Sequence, residues 1–226
     1  MLQHVTQAPP PTRERIKSVA QELYMRGGYE GFSFGDIAAE LGITRANIHY
    51  HFGSKRRLMA TLIDSFVEDA LTRIARHWTT PGDGFADRLR AQCRDLRAFY
   101  SHFNPNPDER NVWSPVSRLR LDLPVLGELA ATALDRVNRG YDACLRSAVA
   151  DAIAAGELMQ GAPVDDIVRL LRTTIMSCGP ITQDHGSFAE VERLFATIGR
   201  TIATAWGARP FVRRPVRPAR TKVSLT

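Results

Sequence analysis

Apolar residues recur every three to four positions along almost the whole chain, and no stretch alternates apolar and polar residues as a half-buried strand would. That period puts one apolar stripe on each helix, and such stripes are buried by packing helices against one another. Ile16, Val19, Ala20, Leu23 and Tyr24 mark the first stripe, which stops at the turn signal Gly27-Gly28. Ser33 with Asp36 predicts a capping-box start for a short helix through Ile37, Ala38 and Leu41, and Gly42 breaks it. Thr44 predicts the N-cap of a second short helix ending near Phe52-Gly53. Ser54 predicts that of a long helix reaching about Trp78, before Pro81-Gly82. Phe85, Leu89, Cys93, Leu96 and Tyr100 give a fifth helix, and Leu126 to Ile153 a long amphipathic run. Pro163 with Asp165 and Asp166 opens a helix carrying Ile167, Leu171 and Ile175, with its acids at the positive end of the helix dipole. The box Ser187-x-x-Glu190 opens a last one through Val191, Leu194, Phe195, Ile198, Ile202 and Trp206. Residues 104–115 read as a loop, and GPITQDHGS as the turn joining the last two helices. The expected fold class is all-α.

The charge balance is uneven. The chain carries +6 overall, made of +3 over 13–57, −3 over 58–208 and +6 over 209–226. A basic N-terminal part suits a polyanionic partner, while the slightly acidic middle argues against a generally cationic, sticky protein. The first dozen residues and the basic tail from 209 are expected to be disordered. No run approaches the roughly 18 apolar residues of a membrane span, no apolar signal core opens the chain, and the three cysteines have no paired spacing. The expectation is therefore a cytoplasmic protein without membrane contact and with buried free thiols.

Residues 43–55, ITRANIHYHFGSK, concentrate the chemistry. Ala38 and Gly42 stand four apart among Ile37, Leu41, Ile43 and Ile48, as in a helix-turn-helix where a small residue lets the second helix approach. A bland helical hairpin would share that spacing. On the second helix Ile48 and Phe52 face the core, while Arg45 and His49 form another i, i+4 pair beside Ala46 and Asn47. That leading edge is the part a recognition helix inserts into the major groove. Arg pairs with guanine O6 and N7, Asn with adenine N6 and N7, and Ala meets a thymine methyl. His49 and His51 diverge by about 200° on a helix and cannot share a metal; no cysteine or carboxylate completes a site nearby, so neither metal nor cofactor is expected. Lys55, Arg56 and Arg57 crowd a helix start, where the macrodipole favours anions, and a DNA phosphate would answer them; a solvated charge run is the alternative for the two arginines.

The segment from Glu14 to Met59, with its RGGYEGFSF, IAAELGIT, NIHYHF and GSK elements, resembles the DNA-binding domain of the tetracycline-repressor (TetR) family. The resemblance implies a three-helix DNA-binding domain over 13–57 and a helical effector-binding and dimerisation domain over 58–208. It places Arg45, Ala46, Asn47 and His49 at base-reading positions and Ser33, Thr44, Tyr50, His51 and Lys55 at phosphate-contacting ones. The chain departs from the family by carrying His49 where tyrosine is usual, with Tyr50 following. The resemblance further implies a double-stranded DNA operator, a homodimer formed through helices near 163–178 and 188–206, and a small, largely apolar effector. Trp78, Phe99, Phe103, Trp113, Tyr141 and Met176 are the candidate pocket lining, with His77, His102 and Asn138 as polar anchors. Simple core packing is the alternative for each of these and for the dimer stripes. A ligand-released repressor is the expected function, with an activator or a helical adaptor as alternatives. No GxSxG, HExxH, CxxC or GxxxxGK[ST] motif occurs, so an enzyme is not expected.

Overall fold

A computed structural model describes residues 11–208. Among them the chain forms ten helices: α1 Thr12–Gly27, α2 Phe34–Leu41, α3 Arg45–Phe52, α4 Lys55–Trp78, α5 Phe85–Phe103, α6 Pro115–Leu121, α7 Leu123–Leu126, α8 Glu128–Ala154, α9 Val164–His185 and α10 Ala189–Trp206. The β-type pairing of the described residues is a single isolated bridge between Leu158 and Gly207. Thr12, assigned by sequence to the leading segment, is already helical, and the tail from 209 lies outside the described residues.

The first three helices close a small core of Ile16, Ala20, Tyr24, Ile37, Ile48 and Phe52, completed by Leu58 and Leu62 at the start of α4. The sequence boundary at residue 57 therefore falls inside a continuous helix, so α4 is shared by both parts of the chain. Beyond it, α4, α5, α8, α9 and α10 pack into a helical layer whose core includes Phe66, Ile74, Trp78, Leu145, Ile167, Leu171 and Phe195.

Three local expectations differ from the structure. First, α9 does not stop near residue 178 but continues to His185 through Pro180. Proline removes the N–H that would bond the Met176 carbonyl, and Arg120 Nη1 reaches that oxygen instead, at 3.4 Å. Gly179 lets α6 come close, since a Cβ there would collide with the Ser117 hydroxyl. Second, α10 begins at Ala189 without a side-chain cap; Ser187 accepts only the Ala189 N–H, at 3.1 Å, and no box with Glu190 forms. Third, α6 and α7 fill a stretch with no clear sequence signal, and Gly127, with φ 57°, separates Leu126 from the long α8.

Candidate nucleic-acid interface

The geometry of the helix-turn-helix follows from its caps. Ser33 Oγ accepts from the Gly35 and Asp36 N–H groups at 3.1 and 3.3 Å, while Asp36 accepts from the Ser33 N–H at 2.7 Å. The Ser33 hydroxyl also donates to that carboxylate at 2.8 Å, and these bonds hold Asp36 below the usual carboxylate range. The box fixes where α2 starts. Gly42, at φ 63° and ψ 35°, ends it in the left-handed conformation that glycine adopts without strain. Thr44 then starts α3 by accepting the Asn47 N–H at 3.2 Å.

Ile48 and Phe52 anchor α3 in the core, while Thr44, Arg45, Ala46, Asn47, His49 and Tyr50 are exposed. Tyr50 is 86% exposed, so its ring contributes little to folding. Arg45 lies against Gly35 at the start of α2, near Asp36. His49 meets the Phe34 ring edge-on at 4.8 Å, and its Nδ1 lies 3.0 Å from the Gly53 carbonyl. A carbonyl only accepts, so Nδ1 is the donor in that bond. Half-buried His51 stands edge-on to Tyr50 at 5.3 Å.

The cations at the start of α4 are partly answered inside the chain, which sequence did not foresee. Lys55 Nζ sits 4.5 Å from the Tyr29 ring and 4.6 Å from Phe32, a double cation–π contact that holds the ammonium beside the helix start. Arg56 donates to the Leu126 carbonyl at 3.4 Å and so ties α4 to α7. The surface therefore offers donors on one exposed edge of a helix about 10–12 Å across, together with an ammonium held against the Tyr29 and Phe32 rings. B-DNA's major groove is about 12 Å wide, and such an edge fits it.

Comparison with known proteins places this geometry. Residues 16–62 match the family described as bacterial regulatory proteins, tetR family. The likeness to that family is carried by this N-terminal domain. An uncharacterized HTH-type transcriptional regulator in the dhlA 5' region of Xanthobacter autotrophicus is 31% identical over 84 residues, which are 37% of this chain and 42% of that protein. TtgR, an HTH-type transcriptional regulator of Pseudomonas putida, is 31% identical over 68 residues, 30% of this chain and 32% of that protein. The chain thus matches less than half the length of these curated relatives. Solved structures extend the likeness of fold: a TetR transcriptional regulator from Chloroflexus aurantiacus superposes with a TM-score of 0.73 at 20% identity, covering 87% of this chain and 96% of that one.

Behind its TetR-type domain the chain has a cavity of about 510 Å³ enclosed by α1, α4, α5, α6 and α8. Phe99, Trp113 and Tyr141, three of the pocket residues expected from sequence, line it together with Phe66. The other three do not. Trp78 is fully buried behind Gln92, to which its Nε1 donates at 3.1 Å; Phe103 borders a separate hollow with His102; and Met176 lines neither cavity. Sequence missed the polar lining: Arg73 donates to Asp95 at 2.7 Å and covers the Phe99 ring at 4.1 Å, and Asp69, Arg76 and Gln92 complete the wall. His77 lies 3.6 Å from Asp95, and burial pushes the Tyr141 hydroxyl up to about 12. A helical stripe that mixes Arg73, Arg76 and Asp69 with apolar positions reads as a solvated face until α5 and α6 close over it.

The TetR-type domain is clamped from the same side. Arg118 donates to the Met25 carbonyl at 2.7 Å and the Arg26 carbonyl at 3.1 Å, at the electronegative end of α1. Asp122 accepts the Tyr29 N–H at 3.0 Å. The Tyr24 hydroxyl is buried beside Asp122 without forming a bond, and burial followed by that carboxylate's charge raises its pKa. On the two helices expected to pair with a twin, Ile167, Leu171, Ile175, Val191, Phe195, Ile198 and Ile202 are buried in the chain's own core.

Proposed function

We propose that this chain is a homodimeric, ligand-responsive DNA-binding repressor. The observation that carries the reading is the exposed edge of α3, where Arg45, Ala46, Asn47 and His49 stand free of the core that holds Ile48 and Phe52. These four residues read base edges in the major groove, and Ser33, Thr44, Tyr50, His51 and Lys55 hold the flanking phosphates. Arg45 leaves its resting place over Gly35 to do so. The Tyr29 and Phe32 rings, both against the Lys55 ammonium, keep it aimed at the backbone, so less side-chain freedom is lost on binding.

The effector is an aromatic compound carrying hydrogen-bonding groups. The cavity's rings favour stacking, and Gln92, Arg73, Asp95 and Arg76 suit a polar substituent better than an all-apolar molecule. Such a ligand acts through α4 and α6, which both line the cavity and both touch the DNA-binding part, α4 through Lys55 and α6 through Arg118. Favouring a different spacing of the two α3 helices requires a differential affinity of a few kcal/mol between the two states. The twin packs on what remains outside the core of α9 and α10: Leu170, Thr173 and Ile181, and Leu194, Thr197 and Thr201.

Footprinting the purified protein on the DNA flanking its own gene tests the reading. Two protected half-sites with dyad symmetry are expected; uniform, sequence-independent protection would refute it.

A further inference from the structure

We infer that the chain carries a second small-molecule site, a groove between α5 and α10 that takes an amphiphilic anion: a carboxylate on a hydrocarbon chain. The groove holds about 640 Å³, within the size of ligand sites, and is separate from the cavity around Tyr141. Phe85 and Leu89 of α5 and Phe195 and Ile202 of α10 form its floor. It exists because α10 presents small residues there. Gly199 faces Leu89, whose Cδ2 would lie 3.1 Å from any added Cβ, and Ala196 and Ala203 flank it.

The lips are charged, and their charges are unequally matched. Glu192 is taken by Arg97, Glu157 accepts the Phe85 N–H at 2.8 Å, and Arg90 pairs with Asp87 at 2.5 Å. Among the described residues Arg94 has no carboxylate within 4.0 Å, and the Arg200 guanidinium bonds only the Thr197 hydroxyl, at 3.1 Å. Two arginines without a carboxylate partner, Arg94 and Arg200, therefore border an apolar floor. The floor asks for hydrocarbon, and the cations ask for a carboxylate, which guanidinium binds through paired hydrogen bonds. A twin seated on α10 leaves the groove open: at 100° per residue, Leu194, Thr197 and Thr201 lie on the flank nearly opposite Ala196, Gly199 and Ala203. The groove also shares α5 with the effector cavity, which Gln92, Asp95 and Phe99 face from the other side. The proposal stands independently of DNA binding.

Calorimetric titration of the full chain with sodium octanoate and with 1-octanol tests it. Saturable octanoate binding at one site per chain is expected, with octanol about tenfold weaker or worse. Ala203→Phe, which fills the groove from an exposed position, should abolish octanoate binding, and Arg94→Ala with Arg200→Ala should weaken it about tenfold or more. Phe99→Ala, in the other cavity, should leave it unchanged. Should Ala203→Phe fail to fold, the arginine pair still decides the matter. Absence of saturable binding, equal binding of octanol, or loss of binding through Phe99→Ala rather than the groove variants overturns the proposal.

Discussion

The proposed function gives each exposed polar residue of α3 a task that can be tested separately. Arg45→Ala should relax base preference by about 1–3 kcal/mol at one position per half-site, read by binding-site selection; unchanged preference removes Arg45 from base reading. Lys55→Ala should weaken binding to all sequences and reduce the salt slope by about 0.9 per lost phosphate contact. An unaltered slope would leave the ammonium with only its intramolecular role against Tyr29 and Phe32. The thiols allow a pH prediction. Burial pushes Cys93 up to about 11 from an ordinary 9.0, so its thiolate is scarce at neutral pH. Alkylation of Cys93 should be slower than that of a free cysteine at pH 7 and should rise steeply up to about pH 11. Between pH 9 and 11 the unfolded chain has lost this proton and the folded chain retains it, so this thiol's contribution to stability falls as pH rises through that window. At this scale the exposure of Arg45 and Asn47 was legible, because Ile48 and Phe52 fix the helix's orientation. The contacts of His49 with Phe34 and of Lys55 with Tyr29 and Phe32 were not, because they form only when separate elements of the chain fold together.

Helix starts governed by a local hydroxyl were legible too, as at Ser33, Thr44 and Ser54, where donor and acceptor lie within three residues. Legibility ended where a distant side chain substitutes for a backbone group. Pro180 reads as a stop, yet α9 passes it because Arg120 serves the carbonyl that proline leaves unbonded. The short α6 and α7 carry too few residues for a period to show, and their place is set by contacts with α1, α8 and α9. That corner is where the two parts of the chain meet. Arg118→Ala removes the donors at the end of α1 and should speed hydrogen exchange at Gly28 and Tyr29 about tenfold or more while α8 and α9 remain protected. Unchanged exchange at Tyr29 would show that Arg118 does not hold the two parts together.

The whole molecule was legible as an all-α chain with a helix-turn-helix at its start, because a 3.6-residue period and an isolated polar edge both survive in one dimension. Its cavity was not, since it depends on which residues remain uncovered after α5 and α6 have packed. Thr201→Arg, on the uncovered flank of α10, should halve the mass seen in sedimentation and abolish operator binding; a dimer that persists places the twin elsewhere. The most direct test of the α3 reading is methylation interference on the footprinted operator. Guanine N7 lies in the major groove and adenine N3 in the minor groove. Interference should fall at guanine N7 in two major-groove segments on one face of the duplex, about 10 base pairs or a multiple apart, and Arg45→Ala should remove it at one guanine per half-site. Interference confined to adenine N3, or unaffected by Arg45→Ala, would contradict insertion of the α3 edge into the major groove.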